Sequence, residues 1–288
     1  MRVASSPQEL AAAERAVALG TFDGVHLGHR RVIEAALAAG PQAAVVTFDP
    51  HPRTALGNRV DLISTLERRL ELIEALGVEE ALVVPFTPDL SLLTPQEFAR
   101  SVLEPLGTRV VVCGANFRFG RGRSGDVSTL ESLGFDTRPV PLVEGVSSSR
   151  IRQFVAAGEV SRAARLLGRP VEVEGTVVAG DARGGTLGFP TANLAVPSEL
   201  LVPAFGIYAG EALGQRAATS IGVNPHYGGE ERRVEAFLLD YEGDLYGRRV
   251  LIELWERLRD ERAFDSEQDL IDQIARDVEA TRAAVRPA

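Results

Sequence analysis

The 288-residue chain contains no lysine, and all 31 of its basic side chains are arginine. A phosphate-binding loop of the Walker type, whose lysine reaches the β- and γ-phosphates, is therefore excluded. Phosphate here must be met by arginine, histidine, backbone N–H groups or a metal ion. Cysteine is nearly absent too. Cys113 is the sole thiol, so no internal disulfide forms, and the apolar run Val110-Val-Val-Cys113 predicts an inert thiol in a buried strand. No uninterrupted apolar stretch approaches the ~20 residues of a membrane-spanning helix, and Met1-Arg-Val-Ala-Ser-Ser-Pro lacks the apolar core of a secretory signal. A cytoplasmic protein without a membrane partner is expected. Positive charge is in deficit, with 40 acidic residues against 31 basic ones and a net charge of −9. Such a surface repels a nucleic-acid backbone, so nucleic acid is not an expected partner. Small anionic ligands remain possible in local pockets.

The length suggests two domains, and the patterning changes along the chain to match. Up to residue 167, apolar runs alternate with helical periodicity. Strands are expected at Val17–Gly20, Ala43–Phe48, Ala81–Phe86, Arg109–Gly114 and Thr137–Leu142. Helices are expected at His29–Ala38, Leu66–Leu76 and near Pro95–Leu106. This alternation predicts an α/β domain, residues 1–167, with a Rossmann-like parallel sheet and a ligand site beyond the carboxyl ends of its strands. Ser147-Ser-Ser149 is suited to starting a helix, which runs to Leu167 with an interruption at Gly158. After Gly168-Arg-Pro170 the texture becomes β-rich, with short runs between turns such as Gly184-Gly185, Gly228-Gly229 and Glu242-Gly-Asp244. Residues 168–288 are expected to form a small antiparallel β-barrel. A closing helix spans Ser266–Val285, with Ser266 and Asp269 at its cap and a stripe of Leu270, Ile271, Ile274 and Val278.

The first candidate site is Gly20-Thr-Phe-Asp-Gly-Val-His-Leu-Gly-His29, which joins the first expected strand to a helix. Its glycines allow a tight turn and a close ligand, and the helix start offers free N–H groups. His26 and His29, three residues apart, lie on nearly one face, where they can donate to a phosphate gaining charge in a transition state. A zinc site is the rival reading, but no third ligand has suitable spacing. Two histidines beside a turn with no chemical role is the other.

The segment resembles the His-x-Gly-His signature of nucleotidylyltransferases. With Thr47-Phe-Asp-Pro-His-Pro52, Gly114-Ala-Asn-Phe-Arg-Phe-Gly120 and Ser147-Ser-Ser-Arg-Ile-Arg152, it looks like the adenylyltransferase module of bacterial bifunctional riboflavin kinase/FAD synthetases. The resemblance implies that His26 and His29 stabilise the α-phosphate of ATP and that Asn116 binds ATP or flavin. It implies that Arg152 contacts phosphates from a helix start, and that Gly20, Phe22, Asp23, Gly24, Ser148 and Ser149 belong to the nucleotide site. Ser149 stands where the family usually has threonine. His51 and Arg118 are open between structural and functional roles.

The second candidate site is the glycine-rich segment Gly175 to Asn193, whose backbone can wrap around phosphates. Thr191 and Asn193, on alternate residues, put two neutral oxygens on one face of an extended segment, which suits Mg²⁺ shared with ATP. Gly188-Phe-Pro-Thr-Ala-Asn193 resembles the signature of the riboflavin kinase module, and Phe205-Gly-Ile-Tyr208, Ile221-Gly-Val-Asn-Pro225, Val234–Asp240 and Asp244-Leu-Tyr-Gly247 follow in that family's order. The resemblance implies ATP contacts at Gly180 and Arg183. Arg183-Gly-Gly185 departs from the common Arg-Gly-Arg, and His226-Tyr227 from Thr-Phe. Alternation over Val234–Asp240 puts Glu235 on a face with Phe237 and Leu239, unusual for a casual surface carboxylate. It reads either as one half of an ion pair with Arg232 or Arg233 or, by the resemblance, as the general base on the ribityl hydroxyl. The expected protein makes FMN from riboflavin and ATP in its C-terminal domain and FAD from FMN and ATP in its N-terminal domain, releasing pyrophosphate. Two alternatives stand beside it: a transferase domain with another acceptor, and a flavin-binding sensor with inactive sites.

Overall fold

The computed structural model describes residues 1–40, 42–180, 189–223 and 232–287. Arg183, Gly184, Gly185, His226, Tyr227 and the Gly228-Gly229 turn, all singled out above, lie outside the described residues. The chain divides into two compact units, Met1–Ser148 and Ser149–Ala288.

The first unit is a six-stranded sheet: β1 (Arg2–Ala4), β2 (Arg15–Leu19), β3 (Ala43–Asp49), β4 (Glu80–Pro85), β5 (Thr108–Gly114) and β6 (Asp136–Val140). Its order is β1-β4-β3-β2-β5-β6, and every pairing is parallel. Alternate residues of one strand enter two separate cores, because successive side chains point to opposite faces. Val17, Leu19, Val46, Val111 and Cys113 enter one core, which Phe98, Val102 and Leu103 cover. Ala16, Ala18, Val45, Val110 and Val112 enter the other, which Val32, Ile33 and Ala36 of α1 (Leu27–Leu37) cover. A parallel sheet buried on both faces needs such continuous apolar strands. Strand β1, three residues at one edge, is too short to show periodicity and was not expected from the sequence. The other helices of this unit are α2 (Pro52–Ala55), α3 (Leu66–Glu74), α4 (Pro88–Leu92), α5 (Pro95–Phe98) and α6 (Val127–Ser132). The helix expected near Pro95–Leu106 starts as α5 on a Thr94–Glu97 capping box and continues as a π-helical stretch, Ala99–Leu103.

The second unit contains α7 (Ser148–Ala156) from Ser149 onward, and α8 (Val160–Leu167). Gly158 breaks the two at φ +75°, and a Cβ there would fall 2.8 Å from the Tyr208 hydroxyl, so bulk is excluded as well as handedness. Helix α8 packs on the barrel strands β7 (Val171–Val178) and β12 (Arg249–Arg259) through a buried stripe of Val160, Ala163, Ala164 and Leu167. It is thus part of this unit, whereas the sequence motifs divide at Gly168. The remaining strands are β8 (Ala192–Ala195), β9 (Gly206–Ala212), β10 (Gln215–Val223) and β11 (Arg232–Leu238). The barrel closes in the order β10-β11-β8-β7-β12-β9, antiparallel throughout. Closure leaves no free sheet edge.

Helix α9 (Glu267–Ala283) starts at Ser266, whose hydroxyl accepts from the Asp269 N–H at 3.1 Å. Its deepest residues are not the apolar stripe but Asp277 and Thr281. Asp277 forms an ion pair with Arg259 of β12 at 2.7 Å. Leu270 and Ile274 stay half-exposed because they wall a cavity, not a filled core.

Candidate active sites

Strand β2 delivers the chain into a turn whose backbone is unusual. Phe22, Gly24 and Val25 have φ of 50°, 77° and 38°. A β-branched residue in the left-handed region is a real outlier, and each such non-glycine residue costs roughly 1–3 kcal/mol. Buried contacts behind the turn hold it. The Asp23 carboxylate accepts from the N–H groups of Ile63 at 3.0 Å and Ser64 at 3.2 Å. The Gly24 N–H donates to the Ser64 hydroxyl at 3.0 Å, and the Thr47 hydroxyl donates to the Thr21 carbonyl at 3.0 Å. Asp23 and Gly24 therefore shape the turn from behind; the Asp23 carboxylate is spent on backbone amides.

His26 caps α1. Its Nδ1 accepts from the N–H groups of Gly28 at 3.1 Å and His29 at 3.2 Å. An accepting Nδ1 carries no proton, so the donor of this imidazole is Nε2–H. The His29 ring stacks on it, with centroids 3.5 Å apart and planes 13° apart, and Phe22 meets His29 edge-on at 5.4 Å. The two imidazoles form one slab over the helix start, which carries the positive end of the helix dipole.

This slab walls a cavity of about 380 Å³, with Gly20, Phe22 and Val32 beside it. The far wall comes from the segments after β5 and β6: Gly114, Asn116, Arg118, Pro141, Leu142 and Ser148. The cavity opens beyond the carboxyl ends of β2, β5 and β6, beside the central strand from which the order runs outward both ways. Open α/β sheets bind ligands at that crevice. The turn of Gly20 to His29 thus shares one cavity with Asn116 and Ser148, nearly ninety residues and more further on. Ser149 and Arg152 lie on α7 in the second unit. Arg118, exposed at the rim, pairs with Asp126 at 2.7 Å. Hydrogen bonds, chiefly from the Ser128 hydroxyl, hold Asp126 at a pKa of about 2. His51 caps α2 by accepting from the Arg53 N–H at 3.2 Å.

In the second unit, the alternation of β11 separates two cavities. Val234, Ala236 and Leu238 are buried toward the barrel interior, while Glu235 and Phe237 are half-buried on the other face. Ala236 and Leu238 help to line a cavity of about 430 Å³ with Val177, Thr191, Asp244 and Tyr246. The turn at Glu242-Gly-Asp244 borders this cavity through Gly243 and Asp244. Glu235 and Phe237 line a second cavity of about 340 Å³, walled by Phe189, Phe264 and the α9 residues Leu270 and Ile274. Thr191 borders both cavities.

Glu235 pairs across the barrel with Asn193 of β8, so the two share a face. The Thr191 hydroxyl donates to Glu235 Oε2 at 3.3 Å, and Arg233 Nη1 donates to Oε1 at 2.9 Å. The arginine partner considered from sequence is therefore real, and it is Arg233; the Arg232 guanidinium goes instead to the Val202 carbonyl at 2.8 Å. The ion pair does not withdraw Glu235 from the cavity it lines. Gly180 approaches Asn193 so closely that a Cβ would lie 2.2 Å from its Nδ2, which explains the glycine at that position. Sequence reasoning missed Glu261 and Phe264, which line the Glu235 cavity. Burial raises the pKa of Glu261, against the lowering effect of Arg259. No periodicity marks either residue, since both lie in the irregular link between β12 and α9. Among the described residues, no three His, Cys, Asp or Glu side chains gather as a metal site.

Comparison with known proteins matches the chain in two parts. The family model described as FAD synthetase matches residues 8–151, and that described as riboflavin kinase matches residues 167–285. Curated relatives named bifunctional riboflavin kinase/FMN adenylyltransferase are 37% identical in Listeria monocytogenes, over 93% of this chain and 92% of that one, and 36% identical in Bacillus subtilis, over 92% and 90%. A crystal structure described as a macrolide-efflux protein from Streptococcus pneumoniae superposes with a TM-score of 0.87 at 33% identity over 98% of each chain. Among the described residues no helix is long and apolar enough to cross a membrane. With two ordered sets of motifs, two matching family models and relatives matching along nearly its whole length, the chain belongs to the bifunctional riboflavin kinase/FMN adenylyltransferase family.

Proposed function

We propose that the chain makes FAD from riboflavin in two ATP-dependent steps, the first in the barrel and the second at the turn before α1. It is a riboflavin kinase and an FMN adenylyltransferase, with ATP, riboflavin, FMN and FAD as substrates and products. The observation that carries the assignment of sites is the contrast between the cavities: one is ringed by backbone donors and imidazoles, the other holds a carboxylate against aromatic walls.

In the barrel, the aromatic cavity of Phe189, Phe237 and Phe264 suits the flavin ring, and the cavity across β11 suits ATP. Glu235 lines the first, and its partner Thr191 borders both, so the carboxylate stands where the terminal ribityl hydroxyl meets the γ-phosphate. Glu235 takes the hydroxyl proton as the oxygen attacks the γ-phosphorus of ATP, and the bond to the β,γ-bridging oxygen breaks to release ADP. Arg233 and Thr191 hold Glu235 in place and leave it able to accept a proton. Thr191 and Asn193 offer neutral oxygens beside one carboxylate, a donor set that fits Mg²⁺ when ATP supplies the other ligands. Bound there, Mg²⁺ neutralises charge on the transferring phosphoryl group. Gly180 lets the backbone close over Asn193.

At the first site, an FMN phosphate oxygen attacks the α-phosphate of ATP, and pyrophosphate leaves. FMN phosphate is already ionised near neutral pH, so the site supplies donors and no base. His26 Nε2–H, the His29 ring and the α1 N-terminus meet the α-phosphate; Asn116 and Ser148 contact nucleotide or flavin from the far wall. The test is to incubate purified protein with riboflavin, ATP and Mg²⁺ and to resolve the flavins by chromatography. FMN followed by FAD is expected. FMN alone would assign the first domain another acceptor, and neither product would make the chain a binding protein.

A further inference from the structure

Arg69 is the most deeply buried cation of the first unit that no motif includes. It is fully buried, one turn into α3, whose cap is Thr65. Its Nη1 makes three contacts: to the Thr21 carbonyl at 3.2 Å, the Thr47 hydroxyl at 3.3 Å and the Phe48 carbonyl at 3.0 Å. Burial lowers its pKa and the nearby carboxylates of Asp23 and Asp49 oppose that shift; a guanidinium stays charged throughout. Taking a guanidinium out of water is unfavourable unless its surroundings answer the charge, so an apolar residue would serve a mere packing position better.

The position of its three acceptors shows what the charge does. Thr21 belongs to the strained turn and lines the first cavity. Thr47 and Phe48 end the neighbouring strand β3. Just before α3, Ile63 and Ser64 hold Asp23 and Gly24 of the same turn. The stretch from Ile63 to Arg69 therefore grips the turn at three residues, Thr21, Asp23 and Gly24. Only the first grip comes from a charged group outside the turn.

We propose that Arg69 is a positioning residue of the adenylyl-transfer site: its Nη1 pins the Thr21 carbonyl and so sets the turn that presents His26 and His29 to the α-phosphate. The inference rests on reading that cavity as the adenylyl-transfer site. Arg69 touches no substrate. It acts by holding a backbone conformation that relaxes without it.

The test uses the full chain and three variants, His29→Ala, Arg69→Met and Arg69→Lys, with FMN, ATP and Mg²⁺. Loss of FAD formation in His29→Ala establishes the site, and wild-type FAD formation there removes the reading on which the inference rests, whatever Arg69 does. Given the site, Arg69→Met should lower kcat for FAD formation by ~10²-fold, the scale of a 1 Å misplacement, while KM for ATP moves much less. All three contacts come from one nitrogen, so the single ammonium of Arg69→Lys should recover most of the rate, to within about tenfold of wild type. Hydrogen exchange separates positioning from stability. Arg69→Met should lose protection in residues 20–29 while β2, β3 and β5 keep theirs. FAD formation by Arg69→Met within about threefold of wild type, far from the effect of misplacement, would overturn the proposal. So would loss of protection throughout the sheet, which makes Arg69 a core residue only. Should Arg69→Met not fold, Arg69→Lys decides alone: wild-type protection in residues 20–29 together with a ~10²-fold loss of kcat would overturn it, because the turn would then be set without the rate.

Discussion

The two sites solve phosphoryl chemistry with different materials. The first is built chiefly on one run of chain, Gly20 to His29, in which a strained turn leads into a helix start and two stacked imidazoles. The second is assembled from side chains on separate strands, Asn193 on β8 and Glu235 on β11, with Thr191 just ahead of β8. The attacking groups explain the difference. A phosphate oxygen of FMN is already anionic, so donors and position suffice, and a rigid turn supplies both. A ribityl hydroxyl must lose its proton, and in the mechanism proposed above Glu235 is the carboxylate that takes it. One site needs a shape that resists relaxing, the other a base.

That contrast breaks if base removal spares the kinase. Glu235→Gln should lower riboflavin kinase kcat by ~10²- to 10⁴-fold, with riboflavin KM much less affected. FMN-to-FAD conversion in the same protein should be unchanged. The pair with Arg233 is more than a quarter exposed on both sides, so its loss should change stability by less than ~1 kcal/mol. A near-wild-type kcat with a large drop in Tm would make Glu235 a strut.

Removing a donor from the first site tests the other half. His29→Ala should slow FAD formation by ~10²-fold or more and let FMN accumulate from riboflavin. Asn193→Ala then sharpens the separation: kinase activity should fall while FAD production from supplied FMN stays intact. An equal fall in both would mean that the sites are not independent.

A smaller effect concerns where the kinase begins. A fragment of residues 169–288 keeps every described kinase motif and is expected to make FMN, but it exposes the barrel surface that α8 covers. Val160 and Leu167 are each about 1% exposed, and burying such side chains contributes roughly 1.5–3 kcal/mol each. A fragment of residues 149–288 should accordingly melt at a higher temperature than the shorter one, as calorimetry would show. The smallest expected effect is at Cys113, buried in β5, where desolvation pushes the thiol pKa up to about 11. A thiol reagent at neutral pH should leave it unlabelled until the domain unfolds, and rapid labelling of native protein would contradict its burial.

Much of this was legible in the chain. The strands from Val17 to Gly114 could be read because a sheet buried on both faces needs unbroken apolar runs. His26 and His29 could be singled out because they stand within one helical turn of each other, and Thr191 and Asn193 because they stand on alternate residues of an extended segment. Leu270 and Ile274 formed a visible stripe, yet its meaning was hidden, since periodicity cannot tell a filled core from a cavity wall. Nothing in the residues beside Asp277 in the same helix marks the buried pair that it makes with Arg259 of β12.

The sequence by itself determined the two sheet types, the turn before α1, the alternation that sets Glu235 apart from Ala236, and the exclusion of a lysine-based phosphate loop. These are local properties, fixed by periodicity, backbone freedom and residue chemistry over a few neighbours. Only the tertiary structure decided that Glu235 pairs with Arg233 and not Arg232, that Thr191 borders two cavities, and that His26 donates through Nε2. It alone placed Arg69 beneath Thr21, forty-eight residues away in sequence. Those facts depend on which distant segments meet, and a side chain's partner across a fold leaves no periodic trace in the residues beside it.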